Sequence, residues 1–295
     1  MATPQLLQPG YETFGWRRDL NDSRDFNAQH PAIHKLLGPI GAKLEKELPG
    51  KVDLRQWASP VANQGNIQSC TAHATSSVIE YIQRRLYDAE TDPSRLFIYK
   101  NTRVILGWQG DGGGTLRAAV GSLRLVGAPP EKYLPYDTSK YDAEPSAFTY
   151  SVAHSYRLDK QFRLDLPGKR TADTLNEIKE LIARGLPTVF GYSVYLAVNT
   201  MSVSDGKIPL PTDSDLNIGG HAMAVFGYDD EMVIVNPSTG GTTTKGALLC
   251  KNSRGPGWGE QGYAWLPYEY VLKEMAVDWW AMPAVKWIDD GQFSS

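Results

Sequence analysis

The chain has 295 residues, 41% of them hydrophobic, which is enough to bury one large core or two modest ones. Its 30 Lys and Arg nearly balance its 33 Asp and Glu, so it lacks the basic surface that a nucleic-acid-binding protein needs. No apolar stretch approaches a membrane span, and the first residues lack the basic-then-apolar order of a secretory signal. We expect a soluble globular protein without nucleic-acid or membrane partners, either cytoplasmic or released by a route without a signal peptide.

Cysteine is too rare to suggest a disulfide framework or a structural zinc site. Cys70 and Cys250 can form at most one disulfide, which favours a reducing intracellular setting or a bacterial source. No C-x-x-C pair is present. We therefore expect no metal and no other cofactor.

The first half of the chain predicts an arm followed by helices. Residues 1 to about 50 are rich in Pro, Gly, Asn and Asp, with room for one short helix within 31–47, and they are too few to bury a core of their own. Ser69 is a good N-cap for the helix that follows. Helices are predicted from Cys70 to Leu86, from Ser94 to Val104, and from about Leu116 to Val126.

The second half predicts mostly strands. The stretch 150–166 alternates loosely and favours strands, and Thr174 and Glu177 form a capping box for one helix, which Gly185 and Pro187 end. A polar loop, 202–217, follows. Short strands are predicted from Thr188 to Val194, His221 to Tyr228, Gly246 to Lys251 and Tyr263 to Leu266. Helices first and strands later indicate an α+β fold of two lobes with a cleft between them.

Cys70 is the candidate nucleophile. It ends the Gly- and Asn-containing loop 60–69 and begins a helix, where unpaired N–H groups and the helix dipole stabilise a thiolate. The alternative for a lone cysteine is a buried, inert residue, which is ordinarily more common. Cys250, between leucines and a lysine on a predicted strand, fits that inert role better.

His221 is the candidate base, because two glycines precede it and a strand follows, so a rigid platform has open space at one end. His73 lies on the same helix face as Cys70, where packing or a surface hydrogen bond is the expected role. Asn252, after a strand, is placed to accept the imidazole N–H and fix its tautomer. A turn-capping Asn is the alternative.

Two further features suit peptide chemistry. The side chain of Gln64 and the backbone N–H of Cys70 would donate to a developing oxyanion. Gly113 and Gly114 would let a peptide approach the backbone closely. The alternatives are a loop-stabilising amide and a flexible turn.

Together these residues resemble the papain family of cysteine peptidases over roughly residues 51–285. The resemblance rests on motifs in order along the chain: Val52-Asp53-Leu54-Arg55, Pro60 through Cys70, Gly113-Gly114, Gly220-His221-Ala222, and Asn252-Ser253 through Gly257-Trp258-Gly259 and Gly262-Tyr263. It implies a helical lobe, about 51–148, carrying Cys70, and an antiparallel β-barrel-like lobe, about 149–285, carrying His221 and Asn252. Residues 286–295 would form a tail.

The activity implied by the resemblance is hydrolysis of peptide bonds through a thiolate–imidazolium pair and a thioester acyl-enzyme. Cys70, His221, Asn252 and Gln64 are the expected catalytic residues. The expected substrate-binding residues are Gly113, Gly114, Gly220 and Gln68. The expected partner is a peptide or protein substrate, and the sequence does not give the oligomeric state.

Four positions depart from the family pattern. Ile67 stands where a bridged Cys is usual, Gln68 replaces a common Gly, and Thr71 replaces the Trp after the nucleophile. Arg254 replaces the Trp that shields the His–Asn hydrogen bond, and its charge disfavours an imidazolium. Thr71 and Arg254 favour one rival function, a non-catalytic binding protein on the same scaffold. A second rival, an acyl transferase that uses the same triad, also stays open.

The arm suggests a regulated, pro-like segment. It is short for a family propeptide, but Tyr11, Phe14 and Trp16 are apolar anchors without a core of their own. We hypothesise that the arm lies across or beside the cleft and controls access to it. A strand-like brace on the back of a lobe is the alternative.

Overall fold

The computed structural model describes residues 14–37, 47–87, 91–196, 205–238 and 240–285. The predicted tail, 286–295, and Tyr11 lie outside these ranges. The helices are α1 (Pro31–Leu37), α2 (Cys70–Tyr87), α3 (Arg95–Leu106), α4 (Leu116–Leu125), α5 (Ala147–Ala153), α6 (Thr171–Ala183) and α7 (Glu269–Leu272). The strands are β1 (Lys51–Asp53), β2 (Leu158–Arg163), β3 (Thr188–Tyr195), β4 (Asn217–Val235), β5 (Thr243–Lys251), β6 (Tyr263–Pro267) and β7 (Ala276–Val285).

The strands form one antiparallel sheet in the order β2-β7-β3-β4-β5-β6, with β1 added to β4. The α+β class and the antiparallel β lobe are confirmed, although the sheet is open rather than closed into a barrel. Strand β4 is the longest and pairs with β1, β3 and β5. Because three strands hold it, β4 is a rigid support for His221.

The three predicted helices of the first half are confirmed to within two residues of their predicted ends. The hydroxyl of Ser94 caps α3 by accepting from the Phe97 N–H at 3.2 Å, and that of Thr115 caps α4. Helix α2 buries its stripe of Ala72, Val78, Ile79 and Ile82. Leu86, expected in the same stripe, is exposed. This stripe places α2 against β4, with Cys70 at the junction.

Two local predictions were wrong. Most of 150–166 is not strand: α5 occupies Ala147–Ala153 because the Ser146 hydroxyl caps it through the Thr149 N–H, and only Leu158–Arg163 pairs as β2. The capping box at Thr174 was placed one turn late. Helix α6 begins at Thr171, so Thr174 lies inside it, buried.

Strand β7 has no counterpart in the sequence prediction, although it lies between β2 and β3 in the sheet. Its residues Trp279 and Trp280 are both buried, so the alternation that marks a half-exposed strand is missing. The ring of Trp279 stacks on Phe190 of β3 at a centroid distance of 4.4 Å. In the described parts of the chain, no helix is long and apolar enough to cross a membrane.

A buried ionic network ties α2 and α3 to β5. The Nζ of Lys251 donates to the Ser59 hydroxyl at 2.7 Å and lies 4.0 Å from the Glu80 carboxylate. Arg95 of α3 contacts the other oxygen of Glu80 at 2.5 Å. Burial lowers the pKa of Lys251 to about 8, against the opposing effect of Glu80. The network therefore joins the two lobes through charges shielded from water.

Replacing Lys251 with alanine is expected to lower the free energy of unfolding by about 3 kcal/mol, because Glu80 stays buried with one cationic partner removed. Urea denaturation measures the change. The matched control is Lys245→Ala on the same strand, whose pair with Glu231 is solvent-exposed and should contribute less than about 1 kcal/mol. Equal effects of the two substitutions would contradict the prediction.

Candidate active site

Cys70 is the first residue of α2, and its side chain is fully buried. Burial raises the pKa of the thiol, while backbone hydrogen bonds from Ala222 and Gly15 and the charge of Arg254 oppose the rise. Two of these groups come from β4 and from the arm. The sulfur therefore lies where the helical lobe, the sheet and the arm meet.

His221 is buried on β4, next to Ala222. Its Nε2 lies 2.8 Å from the Asn252 Oδ1, and because that oxygen only accepts, Nε2 carries the proton. The other ring nitrogen, Nδ1, is buried and has no hydrogen-bond partner in the described chain. Burial, with a contribution from Arg254, lowers the pKa of His221 to about 3, although the hydrogen bond to Asn252 raises it. The ring is neutral in this arrangement.

Asn252 directly follows β5, and its amide has two contacts. Its Oδ1 accepts from His221 and from the Ser253 backbone N–H, the latter at 2.7 Å. Thus the local capping bond expected of a turn Asn and the bond to the imidazole occur together. The structure brings Asn252 and His221 into contact, and the backbone of Ala222, next to His221, affects the pKa of the Cys70 thiol.

Gln64 is buried and held from three sides. Its Oε1 accepts from the Ser253 hydroxyl at 2.6 Å, and its backbone N–H donates to the Ser253 carbonyl at 2.8 Å. Its Nε2 donates to the Ile67 carbonyl at 3.0 Å. The Tyr136 hydroxyl donates to its backbone carbonyl. These bonds fix the amide orientation, and Nε2 has a second hydrogen beyond the one that Ile67 receives.

The arm crosses this site and pairs with the body of the protein through an isolated bridge at Trp16. Gly114 donates its N–H to the Gly15 carbonyl at 2.8 Å and accepts from the Arg17 N–H at 2.9 Å, in parallel pairing. The Trp16 N–H donates to the Gly220 carbonyl at 3.0 Å. Two predicted substrate-binding residues, Gly114 and Gly220, therefore bind the arm on either side of the cleft.

The arm approaches the cleft too closely for side chains at the contact. A Cβ at Gly15 would lie 2.0 Å from the Gln68 carbonyl oxygen. A Cβ at Gly113, where φ is +78°, would lie 2.0 Å from the Gly15 carbonyl oxygen. Gln68 is in turn anchored to Asp111, which accepts from its backbone N–H at 2.8 Å. Only glycine at these two positions permits the observed path.

Two aromatic side chains flank Gly15. The ring of Phe14 meets His221 edge to face at 6.0 Å, and the Arg254 guanidinium lies 5.3 Å from the Phe14 centroid. Trp16 is buried against bare backbone: a Cβ at Gly191 would lie 2.0 Å from its indole, and one at Gly220 would lie 2.6 Å from it. The arm thus covers the imidazole on one side and fills a slot on β3 and β4 on the other.

Three contributing residues were not predicted: Asp111, Tyr136 and Gly191. Asp111 lies in the glycine-rich loop 110–114. A single carboxylate in such a loop could have indicated an acceptor for a nearby backbone N–H, which here is that of Gln68. The Tyr136 hydroxyl shares a hydrogen bond of 2.6 Å with the Ser69 hydroxyl, just before α2. Gly191 has no sequence signal, because its importance depends on where Trp16 lies.

The remaining candidates keep modest roles. His73 is buried, not on the surface, and its Nδ1 lies 3.1 Å from the Ser69 carbonyl oxygen. Cys250 is buried on β5, and both cysteines are free thiols. The described residues contain no group of three or more His, Cys, Asp or Glu suited to hold a metal ion.

Comparison with known proteins identifies the family. The model of the papain family of cysteine proteases matches residues 48–276, so the chain belongs to that family and is a cysteine-type peptidase. The resemblance seen in the sequence is confirmed. Peptides or proteins are accordingly its substrates.

Relatives are similar over most of their length. An uncharacterised peptidase C1-like protein of Acanthamoeba polyphaga mimivirus is 30% identical over 286 residues, covering 92% of this chain and 87% of the relative. Among solved structures, xylellain, a cysteine protease from Xylella fastidiosa, is 32% identical with a TM-score of 0.71, covering 93% of this chain and 96% of that one. Procathepsin L 3 of Tenebrio molitor larval midgut, 21% identical with a TM-score of 0.59, covers 81% of this chain and 71% of that one and shares the fold.

Gly191→Ala is expected to displace the arm, because the new Cβ would overlap the Trp16 indole. A clash of this kind costs about 1–3 kcal/mol, and 1.4 kcal/mol corresponds to a tenfold change in population. The rate of Cys70 alkylation by iodoacetamide at pH 7.5, followed by mass spectrometry, should rise about tenfold. Gly121→Ala is the control, since a Cβ there meets nothing within 4 Å. Equal rates in both variants would contradict the arrangement.

Proposed function

We propose that this peptidase cleaves peptide bonds with Cys70 as nucleophile and His221 as its base. His221 takes the thiol proton, the thiolate attacks the scissile carbonyl carbon, and the imidazolium then protonates the leaving amine. Water hydrolyses the resulting thioester and regenerates the thiol. Asn252 holds the ring in the tautomer whose Nδ1 can accept the proton, as the Nε2–Oδ1 distance of 2.8 Å supports.

The oxyanion formed during attack is assigned to Gln64 and to the backbone N–H of Cys70. Support comes from the hydrogen bonds of Ser253 and Ile67, which fix the Gln64 amide beside the nucleophile loop. A donor fixed in advance stabilises the negative charge without reorganising at the moment of reaction. Gly113, Gly114, Gly220 and Gln68 are proposed to bind the substrate backbone, since they contact the arm that lies in the same place.

The arm is proposed to keep the enzyme inactive. Its backbone pairs with Gly114 and Gly220, and the Phe14 ring meets that of His221 edge to face at 6.0 Å. A substrate cannot reach the sulfur until residues 14–17 move away. The burial that the arm imposes also keeps both groups uncharged, because it raises the pKa of the thiol and lowers that of the imidazole.

One observation carries the proposal: the His221 Nε2 lies 2.8 Å from the Asn252 Oδ1, while the backbone of the neighbouring Ala222 is among the groups that lower the pKa of the Cys70 thiol. The imidazole is thus oriented beside the helix start that carries the nucleophile. The arm occupies the same cleft, because Trp16 pairs with Gly220 and the Phe14 ring contacts that of His221. Catalysis and its inhibition are therefore proposed to depend on one cleft.

Cys70→Ala is expected to abolish peptide cleavage, whereas Cys250→Ala leaves it within about twofold. Both are tested in chains that also carry Trp16→Ala, which empties the slot on β3 and β4 and loosens the arm. Turnover of an internally quenched peptide measures the effect. Cleavage that survives Cys70→Ala, or that is lost equally in both variants, would overturn the assignment of the nucleophile.

The pH dependence of Cys70 alkylation is expected to change when the arm is loosened. In the native chain the His221 pKa of about 3 leaves the ring neutral, and burial raises the pKa of the Cys70 thiol, so the thiolate forms only above the ordinary thiol pKa of about 8.5. In Trp16→Ala, hydration lets the imidazolium form and stabilise the thiolate, so alkylation should persist near pH 6. A profile in Trp16→Ala that still rises only at or above about 8.5 would favour the non-catalytic rival.

A further inference from the structure

Behind the cleft, the arm is fastened by six charged residues that we call the latch cluster. Two belong to the arm, Asp19 and Asp25. The other four belong to the body of the enzyme: Arg117 of α4, Arg163 of β2, Asp165 after β2, and Asp278 of β7. None of these residues takes part in the proposed chemistry of Cys70.

Asp19 is buried, and groups from two elements hold its carboxylate. The backbone N–H of Arg117 donates to Oδ2 at 3.0 Å, and the indole N–H of Trp280 donates to the same oxygen at 3.3 Å. The Arg117 guanidinium lies 3.8 Å from Oδ1. Through these contacts, the arm is attached to α4 and β7 three residues beyond Trp16.

Asp278 receives the arm directly. Its Oδ2 accepts from the Asp19 backbone N–H at 2.7 Å, and its Oδ1 accepts from Arg163 at 2.7 Å. Its own backbone N–H donates to Asp165 at 2.7 Å, in a left-handed conformation with φ of 56°. Asp278 is completely buried, so this carboxyl group has only protein around it.

The remaining contacts close the cluster. Arg117 forms a bidentate pair with Asp25, and Arg163 pairs with Asp165 at 2.9 Å and lies 3.9 Å from Asp25. The cluster therefore has four carboxyl groups and two guanidinium groups. With every carboxyl ionised, two negative charges would lack a compensating cation in a buried place, which is costly.

We propose that the arm is held by a proton-loaded latch: one proton taken up by the Asp19–Asp278 pair locks the arm over the cleft, and its loss as the pH rises releases the arm. The inference rests on the proposed inhibitory role of the arm, because only then does release matter for activity. Protonation removes part of the excess negative charge while the hydrogen bonds from Arg117, Trp280 and Arg163 remain.

The direction of the effect follows from proton linkage. Burial, followed by the charge of Asp19, raises the pKa of Asp278 to about 7. Burial also raises that of Asp19, against the opposing effects of Thr115, Arg117 and Arg163. A released arm exposes Asp19 and separates it from Asp278, so both return toward the ordinary value of about 4. The protein with the arm docked thus binds more protons than the protein with the arm released. The equilibrium constant for release therefore increases between about pH 4 and 7 and stays constant at higher pH.

Hydrogen exchange of the full-length protein tests the latch. The protection factors of the Trp16 and Arg17 amides, corrected for intrinsic exchange, report opening of the arm. For one proton released, they should fall about tenfold per pH unit between pH 5 and 7. In Asp19→Asn, which keeps an acceptor for Arg117 and Trp280, the slope should shrink below about threefold per unit. Asp278→Asn should reduce the slope in the same way, and asparagine tolerates the left-handed φ at this position.

Asp22→Asn is the matched control, because Asp22 has the same charge on the same arm but lies at the surface and forms its ion pair with exposed Arg24. It should keep the native slope. A protection factor that is flat or rises with pH in the native chain overturns the latch, as does a native slope in both latch variants. Since exchange reads docking and not catalysis, a latch that is found without any effect on peptide cleavage would refute the inhibitory role alone.

Discussion

The contact on which this molecule depends is the meeting of one helix start with one strand. Helix α2 begins at Cys70 and packs on β4, where the backbone of Ala222 helps to lower the pKa of the thiol. Packing and buried charges hold the helix start and the strand in position. The buried stripe of α2 packs on β4, three strands hold β4, and the Lys251–Glu80 network ties the lobes from inside. A shift of about one ångström there would separate the groups that the proposed chemistry needs.

The arm completes the same constraint from a third direction. It contributes backbone hydrogen bonds to Gly114 and Gly220, an aromatic ring over His221, and an indole in a slot without side chains. These contacts are local to the cleft. The latch cluster provides a second, ionic attachment on β7, so docking at the cleft is coupled to groups outside it.

The candidate site residues could be predicted from the sequence where neighbouring residues along the chain indicate a role. The loop before Cys70, the glycines before His221 and the turn after β5 each combine residue type and position, so the site was predictable. Prediction failed where a local hydrogen bond outweighs the residue pattern. Ser146 caps α5 and stabilises a helix, although the residues that follow suit a strand. Strand β7 was not predicted, because a strand buried on both faces lacks the alternation of apolar and polar residues that identifies a strand.

What the sequence could not give was the path of the arm and the partners fixed by it. Gly191 gains importance only from Trp16, and Asp278 only from Asp19, more than 170 residues away in each case. No periodicity or spacing connects such positions. They are joined by tertiary packing alone, so they become visible only in the folded chain.

The backbone pairing of the arm has a consequence for how it would compete with a peptide. The Gly15 carbonyl oxygen accepts from Gly114, and the Trp16 N–H donates to Gly220, so the arm occupies two of the backbone positions proposed to bind the substrate. A peptide can use these groups only after residues 14–17 leave them. Under the proposed inhibition the arm is therefore an intramolecular competitor, and a peptide that binds more tightly displaces it at a lower concentration.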